Sequence, residues 1–481
     1  MPRTSLAIAA VIVAILLAFA SGGTAAGMVQ SQATPSIEQP RDTVIARVTT
    51  LAHADQQYSL YLPPGYDTRQ RWPVLVILDA RGRAEATAQL AMPGARRHGW
   101  IVLSSYQSRS DVDETGTLLA LQALLREVGV RYAYDPRRVY LAGFSGTAKT
   151  LWTRIGALRE FVAGMIGCGG GPPPELGPLR QPPAAFFGCA GREDFNYQEM
   201  RDLDDELARL GVARRLLLFD GPHGWPDADG FATALGWFDL VAMHDGRMPR
   251  SEDRIDAAFA DARADATAAP DALERARRLD QAVRDFQGLR DTAALQAEAV
   301  RLRDSAEARG QLAQQRRLRS EERRATQQLE EWSARVSRRR DEDGREIDPP
   351  MTMEALRQLR VASLKRMATD ADAEQAASAR RRLERIHIAT SFYLPERFAR
   401  QADWPRATAM LSIAIAIAPD RGATHWRLAR IHAQAGKVDD AFTELQRSRA
   451  LGYDDPDDLH DNAAWARLRT DPRWPAQAPG D

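Results

Sequence analysis

The sequence predicts an α/β domain, a parallel-type sheet with helices on both faces, followed by an all-α region that ends in helical repeats. Three observations carry this. Short apolar runs such as Val74 to Leu78 alternate with helix-compatible segments across residues 43–245, as in a sheet buried on both faces. Beyond Arg247 the composition turns to Ala, Arg, Asp, Glu, Gln and Leu, for which helix is the only regular structure favoured. Within residues 386–481 a pattern of small and large apolar residues recurs 34 positions further on.

At 481 residues the chain is too long for one core, and two or three domains are expected. Its 65 basic and 65 acidic residues cancel, so no global field favours nucleic acid as a partner. Arginine supplies nearly all the positive charge; the lysines are Lys149, Lys365 and Lys437. At the N-terminus, Arg3 precedes an apolar run from Leu6 to Ala20, and Ala18-Phe19-Ala20 offers a small-x-small cleavage site, with another after Ala26. The run is shorter than the roughly 20 apolar residues of a spanning helix. Residues 1–26 therefore read as a signal peptide and 27–42 as a polar leader. The protein is expected to be exported, periplasmic or secreted, with membrane contact only if the first segment stays uncleaved.

In order, Val44 to Thr50 and Gln57 to Leu62 read as opening strands closed by Pro63-Pro64-Gly65, before the buried run Val74 to Leu78 and a loop, Asp79 to Arg83. Trp100 to Leu103 reads as a strand and Leu118 to Val128 as a helix. Val139 to Leu141 leads into Gly143-Phe144-Ser145-Gly146-Thr147 and a helical segment, Ala148 to Leu158. Val162 to Ile166, Ala184 to Phe187 and Arg215 to Phe219 complete the strands, with helices at Arg201 to Leu210 and Ala232 to Met243. Residues 246–385 form an Arg- and Ala-rich helical region, in which Gln311 to Arg340 is so charged that little of it can be buried, as an exposed helix or helical hairpin. In residues 386–481, Ala407, Leu411, Ala414 and Pro419 recur as Ala441, Leu445, Ser448 and Tyr453, and Leu394 and Phe398 as Leu428 and His432.

Strand, tight turn and helix is the context in which a serine serves as nucleophile, because the turn lifts its hydroxyl clear of the sheet. Ser145 is that candidate. A serine needs a base, and the base an orienting carboxylate. Asp194, in Gly191-Arg192-Glu193-Asp194, and His223, in Gly221-Pro222-His223-Gly224, arrive in order after two later strands; Glu193 competes with Asp194 for the acid role. The Gly146 N–H would give one oxyanion donor, and the Arg81 or Ala80 N–H the other. Tyr106, Asn196 and Tyr197 are candidates for the substrate rim. Cys168 and Cys189 end neighbouring strands and are read either as a disulfide or as two buried small residues. No cofactor or metal is expected.

With YSLYLPPGYD, WPVLVILD, DPRRVYLAGFSG, GREDFNY and GPHGWP in place, residues 43–245 resemble the α/β-hydrolases, in the dienelactone hydrolase and esterase-like branch related to prolyl oligopeptidase catalytic domains. The resemblance implies a Ser145, Asp194, His223 triad and cleavage of a small-molecule or peptide ester, thioester or amide through an acyl-enzyme. Thr147 stands where the pattern has its last glycine, and Asp79-Ala80 where His-Gly is common. The 34-residue spacing in 386–481 resembles tetratricopeptide repeats, which implies a protein partner for that module.

Overall fold

The computed structural model describes residues 39–110, 114–340, 343 and 345–474. The signal segment and most of the leader lie outside the described residues. The described residues divide into two compact units, one up to residue 312 and one from residue 313.

The first unit is built on eight strands: β1 (Val44–Thr49), β2 (Gln57–Tyr61), β3 (Trp72–Leu78), β4 (Ile101–Ser105), β5 (Tyr134–Phe144), β6 (Gly164–Cys168), β7 (Ala185–Gly191) and β8 (Ala213–Phe219). They lie in the order β1-β2-β4-β3-β5-β6-β7-β8, with β1, β2 and β4 joined antiparallel and the rest parallel. Five helices cover this sheet: α1 (Ala84–His98), α2 (Glu114–Arg131), α3 (Gly146–Leu158), α4 (Tyr197–Arg209) and α5 (Ala228–His244). This is the α/β-hydrolase fold, as the sequence predicts.

Alternation along β3 shows why both faces are covered. Val74, Val76 and Leu78 pack into one core with Leu121, Trp152, Ile155 and Met200 from α2, α3 and α4. Leu75 and Ile77 point the other way, into a core with Ala91, Ala95, Phe231 and Phe238 from α1 and α5. Each fully buried Val, Leu or Ile contributes roughly 1.5–3 kcal/mol, so a sheet filled on both sides needs no polar face.

Helix α1 is absent from the sequence reading, and it contains Met92-Pro93-Gly94, a run that ordinarily breaks a helix. Pro93 nevertheless lies inside the helix. Tertiary packing outweighs the proline there: a Cβ on Gly94 would come within 2.6 Å of Ala232 Cα, so the glycine lets α1 lie directly against α5.

Three further helices belong to the same unit: α6 (Glu252–Thr267), α7 (Ala272–Phe286) and α8 (Ala293–Arg303). The unit boundary at residue 312 thus falls inside the segment 246–385 that the sequence sets apart. Asp285 of α7 is the anchor. Its carboxylate accepts from Arg215 of β8 at 3.0 Å, from Trp237 Nε1 of α5 at 2.8 Å and from Gln281 at 2.7 Å. Burial raises its pKa against the pull of those partners.

Helix α9 (Ala306–Val336) is one 31-residue helix that runs on into the second unit. Its charge hides a narrow buried stripe of Leu318, Leu329 and Trp332, and Glu322 pairs with Arg381 at 2.5 Å, both buried. There follow α10 (Thr352–Gln358), α11 (Val361–Met367), α12 (Ala373–Ile388), α13 (Leu394–Arg400), α14 (Trp404–Ile417), α15 (Gly422–Gln434), α16 (Val438–Ala450) and a short α17 (Pro456–Asp461). Of the recurring positions, Ala407, Leu411 and Ala414 in α14 and Ala441, Leu445 and Ser448 in α16 are buried, whereas Pro419 is exposed and Tyr453 half-buried. Where Ala414 becomes Ser448, the added hydroxyl lies 3.0 Å from the carbonyls of both Gly422 and Tyr453, either of which can accept its proton.

Candidate active site

The site forms where β5, β6, β7 and β8 end. Strand β5 runs into Ser145, which has φ 55° and ψ −122°, a strained conformation for a residue with a Cβ. The strain is held on both sides. The Ser145 N–H donates to Cys168 O at the end of β6, 2.8 Å away, and its carbonyl accepts from Lys149 N–H in α3. Gly143 is required because a Cβ there would sit 2.7 Å from the Ala148 backbone.

Thr147 explains itself in this setting. It is fully buried, its hydroxyl accepts from the Phe144 N–H at 3.0 Å, and it donates to Leu78 O at 2.5 Å. A glycine would leave both backbone groups without these partners. The threonine therefore fastens the turn to the end of β3.

Asp194 is fully buried after β7, and one carboxylate oxygen lies 2.9 Å from His223 Nδ1. The other accepts the Asn196 N–H at 2.7 Å. The histidine ring lies between Phe144 and Phe195, with centroids 4.6 and 4.5 Å away. Gly169, at φ 57°, makes room for the pair: a Cβ there would lie 2.8 Å from Asp194 Oδ2 and 2.9 Å from His223 Cε1. Of the two acids weighed in the sequence, Asp194 is the one that reaches the ring. The Ser145 hydroxyl makes no hydrogen bond among the described residues.

The loop after β3 differs from the sequence reading. The Arg81 N–H donates to Asp79 Oδ1 at 2.8 Å, so it is occupied and does not face an oxyanion. Asp79 is fully buried and also accepts from the Arg83 N–H and guanidinium, and from Trp225 Nε1 at 2.9 Å. Burial pushes its pKa up, but the hydrogen bonds of Arg83, Arg81 and Trp225 and the Arg83 charge outweigh it and hold the carboxyl below its ordinary value. Among the described residues the Ala80 and Gly146 N–H groups have no acceptor. Ser110 adjoins both: its N–H donates to Ala80 O at 2.9 Å, and a Cβ on Gly146 would meet its Cβ at 2.4 Å.

The three rim candidates have other duties. Tyr106 donates its hydroxyl to Ala46 O at 2.8 Å beneath the Arg47 guanidinium. Asn196 is buried and donates its side-chain amide to Gly169 O at 2.7 Å, which fixes the turn beside Asp194. Tyr197 is buried at the start of α4, next to Arg201. Trp225, which the sequence reading quotes without assigning, is the residue it missed; the one signal is its place two positions after His223. Cys168 and Cys189 stand opposite each other in the β6–β7 register as free thiols, and Cys168 Sγ donates to Gly224 O at 3.2 Å. Burial, with Cys189 and Asp194 adding to it, pushes the Cys168 thiol well up, so it packs under the site as an inert group.

No family model matches the chain, and no curated protein matches it. Solved structures to which it is similar are serine hydrolases and esterases. The fluorophosphonate-binding serine hydrolase F of Staphylococcus aureus shares 15% identity at a TM-score of 0.34, over 41% of this chain and 98% of that one. S-formylglutathione hydrolase from the same organism shares 16% at 0.32, over 42% and 98%. Esterase 2 of Thermogutta terrifontis, phosphorylated by paraoxon, shares 12% at 0.34, over 43% and 96%.

Proposed function

We propose that this chain is an exported serine hydrolase that cleaves an ester, thioester or amide through an acyl-enzyme. The supporting observation is the 2.9 Å pair of His223 Nδ1 and a buried Asp194 beside a strained Ser145. With Nδ1–H held by Asp194, Nε2 is the basic nitrogen. Ser145 Oγ attacks the acyl carbon as its proton passes to Nε2, and the oxyanion is received by the Gly146 and Ala80 N–H groups. The imidazolium then protonates the leaving group, and water, deprotonated by the same nitrogen, releases the acid. Ala80 takes the place of Arg81 in this scheme. The helices of residues 386–481 carry a protein partner.

Fluorophosphonate labelling of the purified protein tests the reading: labelling that is lost in Ser145→Ala supports it. No labelling between roughly pH 6 and 9, where a histidine base deprotonates, sinks it. A second reading, a hydrolase fold that binds rather than turns over, is favoured by the Ser145 hydroxyl having no hydrogen bond among the described residues. It wins if Ser145→Ala preserves the cellular phenotype and deletion of residues 386–481 abolishes it.

A further inference from the structure

A cavity of about 360 Å³ opens between α2, α3 and the first half of β5, a volume typical of small-ligand pockets. Its wall is apolar, with Leu121 and Val128 from α2, Val139 from β5, and Leu158 and Phe161 at the end of α3. Its lining runs from Val139, six residues of extended chain or about 20 Å before the candidate nucleophile, to Thr153, eight residues or about 12 Å of helix after it. It is a separate site.

Two arginines also line it, the exposed Arg126 and the half-buried Arg154. Among the described residues neither makes a hydrogen bond or ion pair, and Arg154 Nε is buried without a partner. Their neighbours are paired: Arg131 with Glu127 at 2.8 Å, and Arg138 with Asp135 at 2.9 Å. Two cations without a carboxylate partner at the edge of an apolar wall offer a seat for an anionic head group, with the wall left for an apolar tail.

We propose that this cavity binds an aliphatic carboxylate of the fatty-acid type, with its chain against Leu121, Val128 and Leu158 and its head on Arg126 and Arg154. The chain removes apolar wall from water, and a planar carboxylate matches the guanidinium fork. A neutral chain of the same length fills the space but leaves both cations unpaired.

Calorimetric titration of the full chain with dodecanoate and dodecanol tests this, with a diazirine-bearing fatty acid to locate the site. One dodecanoate should bind per chain, dodecanol about tenfold or more weakly, and the photolabel should fall on peptides 118–128 and 153–162. Arg126→Gln with Arg154→Gln should weaken dodecanoate by about tenfold and leave dodecanol unchanged; Leu121→Trp should block both. If Leu121→Trp fails to fold, the arginine pair and the label still decide. The proposal is overturned if dodecanoate does not bind, if dodecanol binds equally well, or if the label maps around residues 79–83 and 223. It also falls if binding appears only after residues 1–38 are removed, since that segment would then be the occupant.

Discussion

The Trp225 indole N–H donates to Asp79 Oδ2 at 2.9 Å, joining the loop that carries His223 to the loop after β3. Two segments 146 residues apart, each reaching the candidate site, thus share one buried carboxylate. Asp79→Ala leaves the Arg81 and Arg83 N–H groups and the indole without their acceptor, and should cost about 3 kcal/mol in urea unfolding. Trp225→Phe removes one donor only. It should cost about 1–2 kcal/mol and slow fluorophosphonate labelling more than it lowers stability, because the His223 loop loosens.

Thr147→Gly restores the common pattern, yet it should destabilise. The Phe144 N–H and Leu78 carbonyl would lose their hydroxyl partner in a fully buried place, a loss of about 2 kcal/mol, with Gly backbone entropy added. Thr147→Ser keeps the hydroxyl and should stay within about 1 kcal/mol of wild type. Thermal melts of the two variants separate the hydroxyl from the methyl group.

Gly169→Ala places a methyl group against Asp194 and His223 at a left-handed backbone position. Labelling at Ser145 should fall at least 100-fold, a barrier increase of about 2.7 kcal/mol. Asn196→Ala, which frees the Gly169 carbonyl without a clash, should fall about 10-fold. Equal losses would mean that the turn, and not the Asp194–His223 pair, is what the glycine protects.

His387 in α12 is buried, and burial, with the Arg421 charge adding to it, lowers its pKa to about 4 from 6.5. The unfolded chain therefore takes up its proton first as the pH falls. The stability of the neutral ring is complete above about pH 6.5 and is lost progressively towards pH 4. The loss amounts to about 3 kcal/mol. His387→Leu should flatten urea midpoints measured between pH 7.5 and 4.5 (roughly the window of that titration); an unchanged slope would place the acid sensitivity elsewhere.

Much of the fold is legible because apolar runs and periodicities are local. The strands from Val44 to Phe219 can be read from them, as can the turn at Ser145 and the order of Asp194 and His223. What could not be read depends on distant partners. Arg81 looks like an oxyanion donor until Asp79 folds back on it, and Asn196 like a rim residue until Gly169 comes within 2.7 Å. Pro93 hides α1 because the contact that sustains the helix, at Ala232, lies far along the chain. Composition likewise separates the helices after Arg247 from the sheet, since the tie at Asp285 is a three-dimensional one.

That tie determines where the hydrolase unit can be cut. A fragment ending near residue 246, where composition changes, would strip the carboxylate from the Trp237 indole and the Arg215 guanidinium and bare Leu240 and Met243, which pack with Ile255, Leu279 and Phe286. Such a fragment should come out of cells insoluble, whereas one that continues to residue 312 keeps its second small core. The three helices complete the hydrolase unit beside α5, and any library, fusion or crystallisation fragment of this chain has to carry them.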